Sequence, residues 1–347
     1  MAANRARRRG YVRCQAGAAE PLSSRGHGAV SRHVDGDGTV TIRVVEPGLL
    51  TTVQDQGRWG SQALGVPVAG PMDAVSHRIA NLLVGNRPDR ATLEVTVVGP
   101  SLDFLADATF AVVGAEFELW LDAEPIAANI SRRAARGSRL RFGRRRAGAR
   151  AYLAVAGGID VPPVLGSRST DLASGIGGLG GRPIRSGDRL EVGHSDNLRA
   201  AGAPVGVPFR LPRGGATVRV MPGLEAGRFT PRTMGLFEKT RYTLGPESNR
   251  MGYRLRGEAL GLAETESLLS SATPAGTIQV PPSGEPILLM ADRQTTGGYA
   301  RIASVISADI AMAGQLAPGD WIEFEVCQHR EALAALIALE QALMRAT

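Results

Sequence analysis

Residues 92 to 155 read TLEVTVVGPSLDFLADATFAVVGAEFELWLDAEPIAANISRRAARGSRLRFGRRRAGARAYLAV, and this stretch decides the fold. Short runs rich in β-branched and apolar residues recur in it at Leu93–Val98, Ala108–Val113, Phe117–Leu121, Arg139–Phe142 and Ala151–Val155, with turns between them at strand-like spacing. Arg144, Arg145 and Arg146, between the last two runs, read as a solvated hairpin turn. The whole chain agrees with this. Its 347 residues hold 44 Gly and 21 Pro but only 5% aromatics, a composition of tight turns and short strands that predicts a mainly β fold.

Upstream, Thr39 to Val45 alternates β-branched with smaller or polar residues and marks where the folded body begins. Residues 1–38 hold seven Arg and three acids, four of the chain's net +7, with no apolar run of signal-peptide length; they predict a basic, disordered tail. Gly48 to Asp73 is too rich in Gly and Pro for a helix and reads as a functional loop. Asp73 then caps a helix with Val75, Ile79, Leu82 and Leu83 on one face and Gly85 to stop it.

Downstream, Gly175 to Gly180 satisfies GxGxxG formally, yet no helix opens after it, so a dinucleotide site is rejected. The Pro- and Gly-rich segment 201–215 is the expected linker between a first subdomain, 39–200, and a second, 216–330. In the second, Thr217–Val220, Ile287–Met290 and Trp321–Val326 read as strands, and Thr230-Pro231 opens a short helix. Residues 331–347 form a C-terminal helix with Leu333, Leu336, Leu339 and Leu343 on one face.

Much chemistry is excluded at once. Lys239 is the only lysine, and its surroundings fit neither a biotinylated hairpin tip, a Schiff-base pocket nor a Walker A loop. Two cysteines, Cys14 and Cys327, make no disulfide framework, which fits the cytoplasm. Cys327 and His329 share one face of an expected strand but lie outside any glycine-rich loop, so both are taken as structural. The five histidines show no metal-ligand spacing, and no apolar run reaches membrane length. The pI of about 10.2 comes without a basic stripe interleaved with aromatics, so neither nucleic acid nor membrane is expected as a partner.

Four polar, glycine-flanked segments remain, suited to a small polar ligand. The first offers Gln54, Asp55, Arg58 and Asp73. The second is Gly157 to Asp160 with Gly166 to Thr170, where hydroxyls flank Arg168. The third offers Ser248, Asn249, Arg250 and Arg254. The fourth, directly after an apolar strand, offers Gln279, Asp292, Arg293, Gln294, Thr295, Thr296 and Tyr299 before or beside Gly297-Gly298. Such a set can recognise a carboxylate or an amide.

The strings TTVQDQGRWG (51–60), GPMDAVSHRIANLLVGN (70–86), YLAVAGGIDVPPVLGSRST (152–170), SNRMGYRLRG (248–257), GTIQVPPSGEPILLMADRQTTGGY (276–299) and GQLAPGDWIEFEV (314–326) together resemble the KipA-like, or allophanate hydrolase subunit 2-like, family of biotin-dependent carboxyltransferases. The resemblance covers about Val44 to Phe324 and implies two cyclophilin-like β-barrel subdomains. It implies a KipI-like partner and, in bacterial relatives, a LamB/YcsF-like third protein, the three forming an ATP-dependent 5-oxoprolinase that opens 5-oxoproline to glutamate. ATP would be used through the complex. An alternative is carboxyl transfer from carboxybiotin to urea or another amide, and a second is a non-catalytic regulator that binds a KipI-like kinase inhibitor. Asp292 and Arg293 become candidate catalytic residues: in the carboxyl-transfer reading Arg293 would stabilise a developing oxyanion while Gln279 and Asp292 orient the acceptor, and in the 5-oxoprolinase reading Arg250 or Arg293 would pair with the substrate carboxylate while Asp292 or Gln294 reads the ring amide. The other residues of the first, third and fourth segments are candidate substrate contacts.

Overall fold

The computed structural model describes residues 41–195, 205–262 and 268–345; the basic tail expected over 1–38 lies outside the described residues. Strands dominate, as the composition implies. The first subdomain is a ten-stranded, nearly closed barrel whose neighbouring strands are, in order, Leu50–Gln54, Thr92–Thr96, Arg139–Val155, Ser101–Phe104, Thr41–Glu46, Arg189–Val192 and Ile159–Asp160. Ala108–Leu121 also pairs with Arg139–Val155 and carries the short strands Glu124–Ile126 and Arg132–Ala134.

Two expected turns are absent here. Ala108–Val113 and Phe117–Leu121 are one strand of 14 residues, and Arg139–Phe142 and Ala151–Val155 are one strand of 17 that runs straight through Arg144–Arg146. The physical reason is a bent ribbon. Register shifts between Gly114 and Leu119, with positive φ at Gly114 and Gly148, bend both strands without ending their pairing. Arg144 and Arg146 are exposed, and Arg146 meets Glu118 across the ribbon at 2.9 Å.

The second subdomain is a closed barrel in the order Gly215–Pro222, Ala300–Val305, Thr277–Val280, Ile287–Leu289, Gly252–Arg256, Tyr242–Leu244 and Trp321–Val326. It closes through a parallel pairing of its first and last strands, with Gly215 opposite Trp321 and Val220 opposite Val326. Gly215 faces the Trp321 indole so closely that any Cβ there would overlap the ring. Helix α1, Ala74–Leu83, is capped by Asp73, whose Oδ1 accepts from the Ser76 N–H at 2.9 Å. Helix α2, Pro231–Lys239, is capped by Thr230 and carries Phe237 into the barrel core against Phe324. Lys239 is exposed in its last turn, where a cation complements the helix dipole.

Each barrel has its own apolar core, and a third cluster lies between them: α1, the outer faces of Ala108–Leu121 and Arg139–Val155, Ala311 of the short helix α3 (Ile310–Ala313), and Leu343 of α4 (His329–Arg345). Val205, Val207 and Phe209 of the expected linker pack on this cluster, while 201–204 are outside the described residues. Arg78 of α1 grips Glu340 of α4 through both oxygens, at 2.8 and 3.1 Å. His329 opens α4, so it does not share a strand face with Cys327, whose N–H bonds Val220 O beyond the end of the last strand.

Candidate functional site

The first two polar segments fold onto each other. Asp55 accepts from the hydroxyls of Ser167 and Ser169 at 2.6 and 2.7 Å and from the N–H groups of Arg168 and Gly57. Burial would raise the Asp55 carboxyl, but these bonds outweigh it and hold it below the usual carboxylate range. Gln54 donates to Thr170 O at 3.1 Å, and Arg58 to Val164 O and Ser169 O at 2.9 and 2.8 Å. The glycine-rich stretch 175–181 lies over this group: a side chain at Gly177 would overlap Ser169 O and Arg58 Nη2. That close approach, and five positive φ values, account for the glycines that mimic a dinucleotide motif.

The third and fourth segments also meet. Arg250 donates through Nε and Nη2 to both oxygens of Asp292 at 2.9 and 2.8 Å, and the Asp292 N–H bonds Arg250 O. Gln294 reaches Gln279 Oε1 at 3.4 Å. Arg293 is half-buried; its Nε donates to Thr273 O at 2.7 Å and its Nη1 lies near Met290 O and Ala291 O. Burial lowers its guanidinium, with Asp292 pulling the other way. Thr296 and Gly297 pair with Ser271–Ala272, and Gln294, Thr296 and Tyr299 are exposed beside Arg293, with Thr295 partly so.

Arg250 joins the two halves. Its Nη1 bonds Glu94 of the first barrel and its Nη2 donates to Gly70 O at 2.6 Å, so segments one and four are linked through one guanidinium. Glu94 in turn accepts from Tyr152 Oη at 2.7 Å and from the Met72 N–H at 2.8 Å. Tyr152 Oη accepts from the Asp73 N–H, and Asp73 Oδ2 accepts from Ser76 Oγ and Gln315 Nε2. Arg250, Glu94, Asp292 and Asp73 are all at most 4% exposed. Burial works against the Arg250 charge, and the carboxylates of Asp292 and Glu94 outweigh it, so the guanidinium stays protonated. Beside it Arg150 donates to Tyr253 Oη at 2.9 Å and Leu316 O at 3.0 Å.

The predicted residues thus fall into groups with different capacities. Asp55, Asp73, Arg250 and Asp292 have bonds within the chain that fix the loops. Gln54, Arg58 and Gln279 are buried, each with one polar atom that has no hydrogen-bond partner among the described residues. Arg293, Gln294, Thr295, Thr296 and Tyr299 line an accessible face. Ser248 and Asn249 shape the turn before Arg250, through bonds to the Arg254 and Met251 N–H groups, and the Arg254 side chain is exposed on another strand position. Sequence reasoning missed Glu94, Tyr152 and Gln315. The signal was there for Glu94, a carboxylate inside the apolar run Leu93–Val98; Gln315 sits in a loop with no pattern of its own.

A family model described as the carboxyltransferase domain, subdomain A and B, matches residues 64–326. The chain is 43% identical over 296 residues to a 5-oxoprolinase subunit of Escherichia coli, covering 85% of this chain and 94% of that protein. It is 34% identical over 300 residues to the urea amidolyase of Saccharomyces cerevisiae, covering 82% of this chain but 16% of the yeast protein. The crystal structure of the K. lactis urea amidolyase superposes with a TM-score of 0.83 at 30% identity, over 90% of this chain and 20% of that one.

Proposed function

Because the chain belongs to the carboxyltransferase-domain family, subdomains A and B, we propose that it is one component of a multi-protein 5-oxoprolinase that opens 5-oxoproline to glutamate with ATP. The observation that carries this reading is the match to almost the full length of the E. coli 5-oxoprolinase component, where urea amidolyase holds the same region as a fraction of a longer chain. A double barrel whose one lysine, Lys239, is exposed at a helix end fits a component that leaves ATP handling to companions, a KipI-like protein and a LamB/YcsF-like protein.

In this reading the Arg250, Glu94 and Asp292 cluster holds both barrels in register, and the face beside Arg293 receives the substrate. Arg293 Nη2, which bonds nothing among the described residues, points to a donor for charge developing on an amide oxygen. Asp292 positions Arg293 through the backbone rather than touching substrate. Gln294, Thr295 and Thr296 supply hydrogen bonds for the carboxylate.

The likeness to urea amidolyase favours a second reading, carboxyl transfer from carboxybiotin to urea, with the biotin carried by another polypeptide. The test is dependence: the assembled proteins are assayed for glutamate release with and without ATP, bicarbonate and avidin. The 5-oxoprolinase reading expects ATP to be required and avidin to have no effect. A requirement for bicarbonate and a biotinylated protein, with inhibition by avidin, would overturn it.

A further inference from the structure

The face beside Arg293 hangs on one residue that neither strand pattern nor glycine spacing singles out. Thr273 follows the short strand Ser271–Ala272, which pairs with Thr296–Gly297, and it is 4% exposed. All three of its polar groups go to consecutive residues of the loop that carries the candidate chemistry. Its carbonyl accepts from Arg293 Nε at 2.7 Å, its hydroxyl donates to Gln294 O at 2.6 Å, and its N–H donates to Thr295 O at 3.1 Å.

The carbonyl bond decides where the guanidinium points. Nη1 reaches Met290 O and Ala291 O only at 3.3 and 3.4 Å, so among the described residues Arg293 makes a single short side-chain bond, the one to Thr273. Burial works against the Arg293 charge, and Asp292, already committed to Arg250, pulls the other way without bonding it. An anion arriving at Nη2 therefore meets a cation that no carboxylate among the described residues has bonded first.

Thr273 is itself stiff. It precedes Pro274, which confines it to extended backbone, and its β-branched side chain has few rotamers open to it. Both flanks are rooted. Arg301, gripped by Glu225, donates to Ala272 O at 3.0 Å, and Pro274 O accepts from Thr277 Oγ1 at 2.8 Å, at the start of a strand of the second barrel. The Thr273 methyl fills the space beside Gly297, where an added Cβ would lie 3.1 Å from it.

We infer that Thr273 is the positioning residue of the Arg293 face: its hydroxyl and N–H clasp the loop at Gln294 and Thr295, so that its carbonyl fixes the Arg293 guanidinium with Nη2 turned to the substrate. This rests on the functional reading above and adds the residue that aims its cation.

Thr273→Val removes the hydroxyl and keeps the shape. In the assembled complex kcat is expected to fall about tenfold, with KM for 5-oxoproline within about twofold of wild type and Tm lowered by no more than a few degrees. Thr273→Ser, which keeps the hydroxyl, should hold kcat within about threefold of wild type. Combined with Arg293→Ala, Thr273→Val should cost little further, because a residue that acts through Arg293 has nothing left to position. Wild-type kcat in Thr273→Val, or a loss that multiplies with that of Arg293→Ala, would overturn the assignment. Arg293 can also be followed without turnover, by phenylglyoxal labelling of the full chain read on the peptide that contains it. Labelling about threefold faster or more in Thr273→Val than in wild type is expected, with other arginine peptides unchanged; equal rates would overturn the assignment. Faster labelling in the variant, beside a wild-type complex that releases no glutamate, upholds the place of Thr273 and ends the functional reading alone.

Discussion

Gln315 Nε2 donates to Asp73 Oδ2 at 2.7 Å, so the cap of α1 in the first barrel is completed by a side chain from the second. The same amide satisfies three more groups, accepting from the Ala149 and Arg150 N–H and donating to Arg150 O. Burial holds the Asp73 carboxyl above its ordinary value, with bonds from Ser76 and Gln315 opposing the rise.

Gln315→Ala leaves four buried groups with one partner fewer, and is expected to destabilise the chain by about 3 kcal/mol. Urea unfolding measures this. A loss under about 1 kcal/mol would mean that the barrels do not depend on this amide.

Arg250→Leu strands the Glu94 and Asp292 carboxylates in the interior, a loss of about 3–5 kcal/mol. Pairing it with Asp292→Leu removes one stranded charge and should recover part of the stability, so the double variant is less damaged than the sum. Additive losses in a double-mutant cycle would contradict the pairing.

His77 lies fully buried in α1 between Thr92 and Asn81, and burial depresses it from 6.5 to about 4, with Asp55, Glu94 and Asp89 pulling upward. The unfolded chain then binds the extra proton first, so stability is complete above about pH 6.5 and falls as pH drops towards 4. The slope approaches 1.4 kcal/mol per pH unit for one proton. Unfolding free energies between pH 5 and 8 should show this in wild type and much less of it in His77→Gln.

The sequence revealed the architecture where local physics decides it. The Asp73 cap with its apolar stripe, the Thr230-Pro231 helix start and the strand runs are all local signals, and the structure has each of them. The long ribbon was hidden, since glycines that bend a strand look like glycines that end one; Arg144–Arg146 continue a strand because the partner strand follows the bend. Which polar residues would meet was legible only in part. Arg250 and Asp292 stood out in glycine-flanked segments, but their link to Glu94 spans 156 positions and no local pattern encodes it.

Glycines 177 and 180 both have positive φ, yet only Gly177 is hemmed in, by Ser169 O and Arg58, while Gly180 faces open space. Gly180→Ala should cost about 1 kcal/mol for its backbone alone, and Gly177→Ala clearly more as Arg58 and the backbone at Ser169 are displaced. Equal effects of the two would show that the loop does not bear on Arg58.

The most direct measurement is glutamate release from 5-oxoproline by this chain alone, with a KipI-like protein, and with both a KipI-like and a LamB/YcsF-like protein, each with ATP. The expected result is turnover only in the three-protein mixture, reduced about 10²–10³-fold in kcat by Arg293→Ala with little change in Tm. Turnover by the chain alone, or a full-strength Arg293→Ala complex, would contradict a component whose Arg293 face carries the chemistry.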